Sequence, residues 1–311
     1  MPMRFRKLAF WLSVCAQLLL AAKTAAAQDL GHRLPGLIGL DAGTIPPPGL
    51  YLVGRFVDYA ADELRDRHGN VIPIRNLEFN GLSTAVGISY TVELRQSSMF
   101  LTATAAVPIA RLRLNIPDRP EASFDRFGLA DIYIQPVRLG WHRDHFDLVS
   151  SYALYLPTGA FLLGKGVSSG QVTHEFSAGG TIYANTNESV FLTALAGYNL
   201  NRRKRDSDIT RGDTFQIQGG VGLNFLDRVI EVGAAGYGLW QVRPDRGADL
   251  PLILRGGRDR VYGVGPEVAV LIKSRSQIRV RYEWDLGVRS RPKGNVFSAG
   301  INFVVWSPKV K

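Results

Sequence analysis

The chain has almost no cysteine, with a single copy, Cys15, among its 311 residues. Cys15 lies in an N-terminal segment that we expect to be removed, so the remaining chain has no thiol. This excludes a disulfide-stabilised scaffold, a cysteine nucleophile and a thiolate metal site. A chain without thiols is also suited to crossing an oxidising compartment in the unfolded state.

Long apolar runs are equally scarce. After residue 22 no stretch of roughly eighteen apolar residues occurs, and a helix needs about that length to cross a bilayer. We therefore expect no membrane-spanning helix. No linker and no shift in composition divides the chain after residue 27, which makes a single large domain the simplest organisation.

The N-terminus has the pattern of a secretory signal peptide. The basic residues Arg4, Arg6 and Lys7 precede an apolar run, Leu8–Ala22, and small residues follow at Ala25–Ala27. We predict a signal peptide over residues 1–27, with cleavage after the last of these alanines. A membrane anchor and a lipoprotein signal at Cys15 are the alternatives.

Acidic residues are too few to balance the basic ones. The formal net charge is +10, and Arg4, Arg6, Lys7 and Lys23 contribute four of these charges, so the chain after residue 27 carries +6. A basic excess is also typical of nucleic-acid binding, but a secreted chain argues against that partner. Loops that face anionic lipopolysaccharide, or a cation-lined lumen, explain the charge more simply.

Twelve apolar, β-prone stretches occur in the chain, and the gaps between them alternate between short and long. Such sorting is typical of an up-and-down β-barrel of the outer membrane, with tight periplasmic turns and long external loops. The predicted strands are 49–59, 79–91, 99–109, 129–141, 146–156, 174–183, 190–200, 215–225, 230–242, 261–272, 278–286 and 296–306. An even number places both termini in the periplasm.

Within single strands the residues alternate with a period of two. In 278–286 one face carries Ile278, Val280, Tyr282, Trp284 and Leu286, and the opposite face carries Arg279, Arg281, Glu283 and Asp285. An apolar face beside a charged face fits lipid on one side and a polar lumen on the other, because lipid cannot solvate a charge. A soluble sheet with one solvated face is the alternative.

Aromatic residues cluster near the ends of these stretches. Such rings prefer the membrane interface, and together they predict aromatic girdles. The residues concerned are Tyr51, Tyr90, Trp141, Tyr183, Tyr198, Trp240, Tyr262 and Trp306.

Three further segments have specific interpretations. Residues 28–48 are rich in glycine and proline, and we expect an irregular segment that lies in the periplasm or inside the lumen. Pro136 and Pro266 each predict a β-bulge, because proline cannot donate to the hydrogen-bond ladder. The barrel itself is expected over residues 49–306, followed by a short tail, 307–311.

The last strand is similar to the signal that the barrel-assembly machinery reads on outer-membrane proteins. The signal consists here of Ser298, Gly300, Phe303 and Val305. Val305 stands where an aromatic residue is usual, and residues 307–311 extend beyond the strand. We expect the assembly machinery to be a partner through these four residues, with an ordinary amphipathic strand as the alternative.

From Gly128 to Phe303 the chain resembles the MetA-pathway of phenol degradation family of outer-membrane proteins. The resemblance rests on an ordered series of short matches, with Ala130 where the family has a second glycine before Asp131: Gly128–Asp131, Pro136, Gly140–Trp141, Leu156–Gly159, Tyr198, Asn201, Arg211–Asp213, Gly236–Tyr237, Gln241, Asp245, Gly247 and Gly265–Pro266. It implies an outer-membrane barrel of bacteria that aids uptake of small hydrophobic or aromatic compounds.

Signals of catalysis are weak. Gly159–Lys165 nearly matches a phosphate-binding loop, but residue 166 is Gly where Ser or Thr would bind magnesium. His142 and His145 flank a tight turn, and His174 together with a serine would be the base and nucleophile of a lipid hydrolase. We expect no enzyme, cofactor or metal site, and a solvated turn at the two histidines.

The candidate functional residues are charged side chains on the predicted lumen face. Opposite charges across a lumen either set the selectivity of a pore or form a structural network. They are Asp131, Arg138, Glu267, Arg279, Arg281, Glu283 and Asp285.

The predicted function is passive uptake of small hydrophobic or aromatic solutes, and a structural or adhesion barrel with a closed lumen is the alternative. The apolar stretches 161–163 and 250–254 in external loops would capture solutes or fold over the mouth.

Overall fold

The computed structural model describes residue 32 and residues 36–94, 98–159, 167–205, 207–251, 255–272 and 276–308. The predicted signal peptide, the predicted cleavage point, residues 161–163 and most of the phosphate-loop-like stretch lie outside these ranges. None of the described residues forms a helix that is long and apolar enough to cross a membrane.

The described chain forms fourteen β-strands and two short 3-10 turns, Gly39–Asp41 and Pro120–Ala122. The strands are β1 (Gly49–Arg65), β2 (Val71–Ile72), β3 (Glu78–Leu94), β4 (Met99–Asn115), β5 (Phe124–Leu129), β6 (Ile132–Arg143), β7 (Phe146–Leu156), β8 (Thr173–Tyr183), β9 (Val190–Asn201), β10 (Thr214–Phe225), β11 (Ile230–Gln241), β12 (Arg260–Ile272), β13 (Ser276–Arg289) and β14 (Pro292–Trp306).

Twelve of these strands close into an antiparallel barrel. Each barrel strand pairs with its neighbours in chain order, and β14 pairs with β1 from Leu50↔Trp306 to Leu64↔Pro292. Closure leaves no open edge in the barrel wall, which a membrane requires because lipid cannot satisfy backbone groups. The predicted fold class and the twelve barrel strands are confirmed. The short strands β2 and β5, which pair only with β1 and β4, were not predicted.

Alternation along the strands sorts apolar side chains to the outside. In β13, Val280, Trp284 and Leu286 are exposed, whereas Arg281 and Glu283 are buried inside the barrel. In β10, Ile217, Val221 and Leu223 are likewise exposed. An exposed apolar belt is unfavourable in water and stable in lipid, so the outer wall fits the hydrocarbon core of a membrane.

Six of the eight predicted girdle residues face outward, and two do not. Tyr51 is only 2% exposed and its hydroxyl donates to the Pro47 carbonyl, while Tyr183 is buried and donates to Asp147. Both rings therefore point into the barrel, and their girdle assignment was wrong. Whether a side chain faces lipid or lumen depends on the alternation of side chains along the strand and not on how close the residue lies to the strand end.

The predicted bulge at Pro136 is confirmed, whereas the one at Pro266 is wrong. The register of β6 shifts between Ile134 and Val137, so that both Gln135 and Arg138 face the lumen. Pro266 instead pairs with Ala234 in a continuous register. Between β12 and β13 the pairing is interrupted at Pro266, but the register is the same on both sides and no extra residue is inserted. The interruption arises because proline has no backbone N–H to donate.

Residues Gly36–Pro48, which we call the luminal segment, lie inside the barrel. The Leu40 N–H donates to the Glu267 carboxylate at 3.1 Å, and the Gly43 N–H donates to Thr193 Oγ1 at 2.9 Å. Leu40 and Ala42 are completely or almost completely buried. Of the two positions expected for residues 28–48, the described part occupies the lumen.

An apolar cluster lies at the external ends of β1, β3 and β4. It combines inward side chains of these strands with residues from the loops that follow them. Its buried members are Val57, Tyr59, Ala61, Leu77, Phe79, Leu114, Ile116 and Val296. The loops between β1 and β3 and between β4 and β6 therefore fold over this side of the mouth. Leu250, in the loop after β11, is also buried.

Candidate functional site

The candidate site is a cavity inside the barrel with a volume of about 860 Å³. The luminal segment forms one side of it, and the inner faces of β1, β3, β4 and β6 form the other. It extends from Tyr155 and Asp131 towards the periplasmic turn at Asp227 and Arg228. Its volume lies within the range of about 300–1,000 Å³ that is common for small-molecule sites.

Small side chains on β3 and β4 create the space. Ser83, Ala85, Thr104 and Ala106 face inward at positions where larger residues would fill the lumen. Aromatic and aliphatic side chains surround this wall, namely Ile45, Pro46, Pro47, Pro48, Tyr51, Val53, Phe100, Tyr133 and Tyr155. The cavity is thus mainly apolar, with hydroxyl groups on one side.

A cluster of acidic and basic side chains fills the opposite side of the lumen. Arg281 Nη1 lies 2.9 Å from Glu267, and Arg281 Nε lies 3.1 Å from Glu283. Arg279 pairs with Glu267 as well, with Asp41 at 2.6 Å and with Glu231 at 2.7 Å. Buried charges are stable only when such partners compensate their loss of hydration. Four predicted lumen residues meet here.

Asp285 belongs to a separate hydrogen-bond network nearer the external end. It accepts hydrogen bonds from the hydroxyl groups of Tyr59, at 2.8 Å, and Tyr237, and from the Gly294 N–H. These donors satisfy a carboxylate that is only 3% exposed. The network ties β13 to β1, β11 and β14.

Arg138 and Asp131 lie on the other side of the barrel. Arg138 Nη2 donates to the carbonyl oxygens of Ala42, at 3.0 Å, and Thr44, at 2.7 Å, and so holds the luminal segment. Asp131 contacts His32 Nε2 at 2.8 Å and the Ser169 hydroxyl at 2.9 Å. The structure therefore places the seven predicted residues inside the barrel, in three groups.

The contact between His32, Ser169 and Asp131 is not arranged as a catalytic triad. His32 Nε2 lies 2.6 Å from Ser169 Oγ and faces Asp131 as well, whereas Nδ1 faces Thr173. A triad histidine contacts the serine and the aspartate through different ring nitrogens. These groups instead connect the start of the luminal region to the wall.

Ionised groups are also buried in the external loops. Burial raises the pKa of the Asp259 carboxyl, and the Arg211 guanidinium at 3.0 Å opposes that effect. Burial acts to lower the pKa of Arg291, but Tyr59 and the acidic neighbours Asp259 and Asp285 raise it above its usual value. The charges at this end thus stabilise one another.

Other candidate motifs are not assembled into sites. His142 Nδ1 lies 2.6 Å from Asp147, and His174 contacts the Tyr152 hydroxyl at 2.9 Å rather than a serine. Within the described ranges no group of histidine, cysteine, aspartate and glutamate side chains is arranged to hold a metal ion.

The cavity wall and the luminal segment are the parts of the site that sequence reasoning missed. Small residues such as Ala85 and Ala106 carry no chemical signal, although their inward phase on β3 and β4 was predictable. Gly39 and Gly43, by contrast, are a sequence signal that the luminal segment packs closely against the wall. A Cβ atom at Gly39 would lie 1.9 Å from Arg281 Nη1, and one at Gly43 would lie 2.1 Å from the Gly180 backbone.

The family model described as "Putative MetA-pathway of phenol degradation" matches residues 61–301. The chain belongs to this family. No curated protein is significantly similar to this family member in sequence.

Among solved structures, an outer membrane channel from Pseudomonas putida F1 is similar to this family member with a TM-score of 0.75 at 12% identity, over 85% of this chain and 98% of the channel. This supports the fold and the location in the bacterial outer membrane. The β domain of the Bordetella autotransporter BrkA matches 82% of this chain and 99% of its own, at 11% identity and a TM-score of 0.48. That score is too low to support an argument.

Proposed function

We propose that this channel-like barrel takes up small apolar or aromatic solutes passively. The cavity of about 860 Å³ between the luminal segment and β1, β3, β4 and β6 carries this proposal. Its aromatic and aliphatic walls would bind an apolar solute, and hydroxyl groups such as those of Ser83 and Thr104 would orient a polar substituent.

In this mechanism the solute concentration gradient drives uptake. A solute enters when the loops of the external apolar cluster part, binds in the cavity, and leaves past the periplasmic turn at Asp227 and Arg228. The luminal segment narrows the path, and its contacts with Glu267 and Arg138 set how easily it moves. No catalytic step is part of the proposal.

Single-channel recording of the refolded protein in a planar bilayer tests this function. We expect discrete conductance steps, and a concentration-dependent block by small aromatic solutes that bind in the cavity. Verified insertion with no conductance and no solute binding would contradict passive uptake.

A structural or adhesion barrel with a closed lumen is the second candidate. It is favoured by the tight contact of Gly39 with Arg281 and Glu267, which closes the lumen on that side. A deletion strain separates the two functions. Slower growth on an aromatic carbon source with normal envelope integrity supports uptake, whereas normal solute uptake with increased sensitivity to detergents supports the structural role.

For assembly, we infer that the barrel-assembly machinery recognises β14. Phe303 and Val305 face outward and are 51% and 59% exposed, whereas Ser298 faces inward. Gly300 pairs with Arg55 across the seam that closes the barrel, and with Arg279 on the neighbouring strand β13. Replacing Phe303 with aspartate should lower the amount of folded protein in the outer membrane, and Phe297→Asp provides an outward-facing control on the same strand.

A further inference from the structure

A continuous row of aromatic side chains crosses the outer wall near its external end. Direct cross-strand pairs join Tyr152 to Phe176, Phe176 to Tyr198, Tyr198 to Phe215, and Phe215 to Trp240. The rings of Phe215 and Trp240 are 5.9 Å apart. Aromatic rings mark the level where the hydrocarbon core meets the polar head groups.

This row ends in two arginines. Trp240 pairs with Arg260, and Arg260 pairs with Arg289 on β13. Like charges directly opposite each other destabilise a sheet unless a counter-charge lies between them. None of the ion pairs among the described residues includes either arginine. Arg260 instead stacks over the Tyr262 ring at 5.5 Å and donates to the Gly287 carbonyl.

Two more arginines lie just external to the same row. The Arg243 side chain is 62% exposed and reaches Asp213, which also accepts a hydrogen bond from Tyr198. Arg202 is exposed beside His174. Asp208 and Asp249, two exposed acids of these loops, accept hydrogen bonds from backbone N–H groups. The acids of these loops thus hold loop structure or pair with loop arginines such as Arg243, whereas Arg260 and Arg289 take part in none of the ion pairs among the described residues.

We propose that this surface, which comprises Tyr198, Trp240, Tyr262, Arg243, Arg260 and Arg289, binds a phosphorylated glycolipid of the outer leaflet. Directly opposed residues in a sheet have Cβ atoms about 5 Å apart, so one phosphate group can accept hydrogen bonds from both Arg260 and Arg289. Arginine binds phosphate through two parallel hydrogen bonds. The acyl chains of the same lipid pack against the aromatic row.

The position of the arginines identifies a lipid rather than a soluble anion. Arg260 and Arg289 lie at the ends of membrane-spanning strands, beside Tyr262 and Trp240, and not in the lumen. A free anion would gain nothing from the adjoining apolar wall. The proposed site is independent of solute uptake, because it shares no residue with the cavity.

Binding of bis-phosphorylated lipid A to the full chain, purified in detergent and freed of its own lipid, tests the proposal. Arg260→Gln with Arg289→Gln should weaken the apparent Kd roughly tenfold or more, since the charge-assisted hydrogen bonds to the phosphate are lost. The matched control, Arg67→Gln with Arg205→Gln, removes the same charge from exposed external loops and should bind as the unchanged protein does.

A heat-dependent shift in gel mobility verifies that each variant is folded. Equal weakening in the two double variants would reduce the effect to general electrostatics and overturn the proposal. Equal affinity for a dephosphorylated lipid of the same acyl content would also overturn it. Inorganic phosphate that binds as tightly as the lipid would show that the aromatic row contributes nothing, which contradicts a lipid site.

Discussion

Glu267 accepts the backbone N–H of Leu40 with both carboxylate oxygens, at 3.1 and 3.2 Å, although the two residues are 227 positions apart. The same carboxylate pairs with Arg279 and Arg281, so the luminal segment completes a buried ionic cluster of the wall. Displacing the segment removes Asp41 from Arg279 as well as the N–H donor from Glu267. The segment and the cluster therefore stabilise each other.

Gly39→Val should displace the luminal segment and raise single-channel conductance severalfold. Any Cβ at this position meets Arg281 Nη1 and Glu267 Oε2 at 1.9 Å. Gly39 also has φ of +62°, which valine adopts only with strain. Gly256→Val is the matched control, since Gly256 has φ of +78° but no atom of the described residues lies within 4 Å of the place that its Cβ would take. Equal conductance in the two variants would show that the segment does not limit flow.

Ala106→Phe should abolish binding of aromatic solutes, because the new ring would occupy the cavity beside Thr104. Ala105→Phe is the control, since Ala105 lies on the exposed outer face of β4 and its ring would face lipid. Block of channel current, or equilibrium binding of a radiolabelled solute to the detergent-solubilised protein, measures the difference. Unchanged solute binding in the Ala106 variant would place the solute path elsewhere.

Arg281→Ala should destabilise the barrel by about 3–5 kcal/mol, because it removes the ion-pair partner of the buried Glu283 and leaves Glu267 to Arg279 alone. It should also shift the ion selectivity of a conducting pore towards cations. Arg111→Ala removes an exposed pair with Asp125, which solvent screens, and should change the stability little. Urea unfolding in detergent gives the stabilities, and reversal potentials give the selectivities. Unchanged selectivity would remove Arg281 from the conducting path.

Tyr59→Phe should lower the free energy of unfolding by about 1–3 kcal/mol, because Asp285 loses a buried donor. The same hydroxyl group also donates to the Pro292 carbonyl. Tyr90→Phe, at an outward position that is 45% exposed, is the control and should change little. A similar small effect in both variants would mean that a buried water replaces the Tyr59 hydroxyl.

Much of the barrel was predictable because its strands repeat a simple rule. Alternation in 278–286 identified Arg279, Arg281, Glu283 and Asp285 as inward residues, and all four are buried. The same rule applied through the slip at Pro136 placed Arg138 in the lumen. Tyr51 and Tyr183 were misassigned because their place near strand ends was weighed above their phase.

The sequence by itself determined the class of fold, the number of barrel strands and the inward face of the charges in 278–286, because these depend on residue periodicity and turn length, which are local properties. Only the tertiary structure decided that Gly36–Pro48 lies inside the lumen, that Glu267 holds Leu40, and that Arg260 faces Arg289 beside the aromatic row. These relationships join residues that are distant in the chain. They depend on strand register and barrel closure, which fix distances that no local pattern encodes.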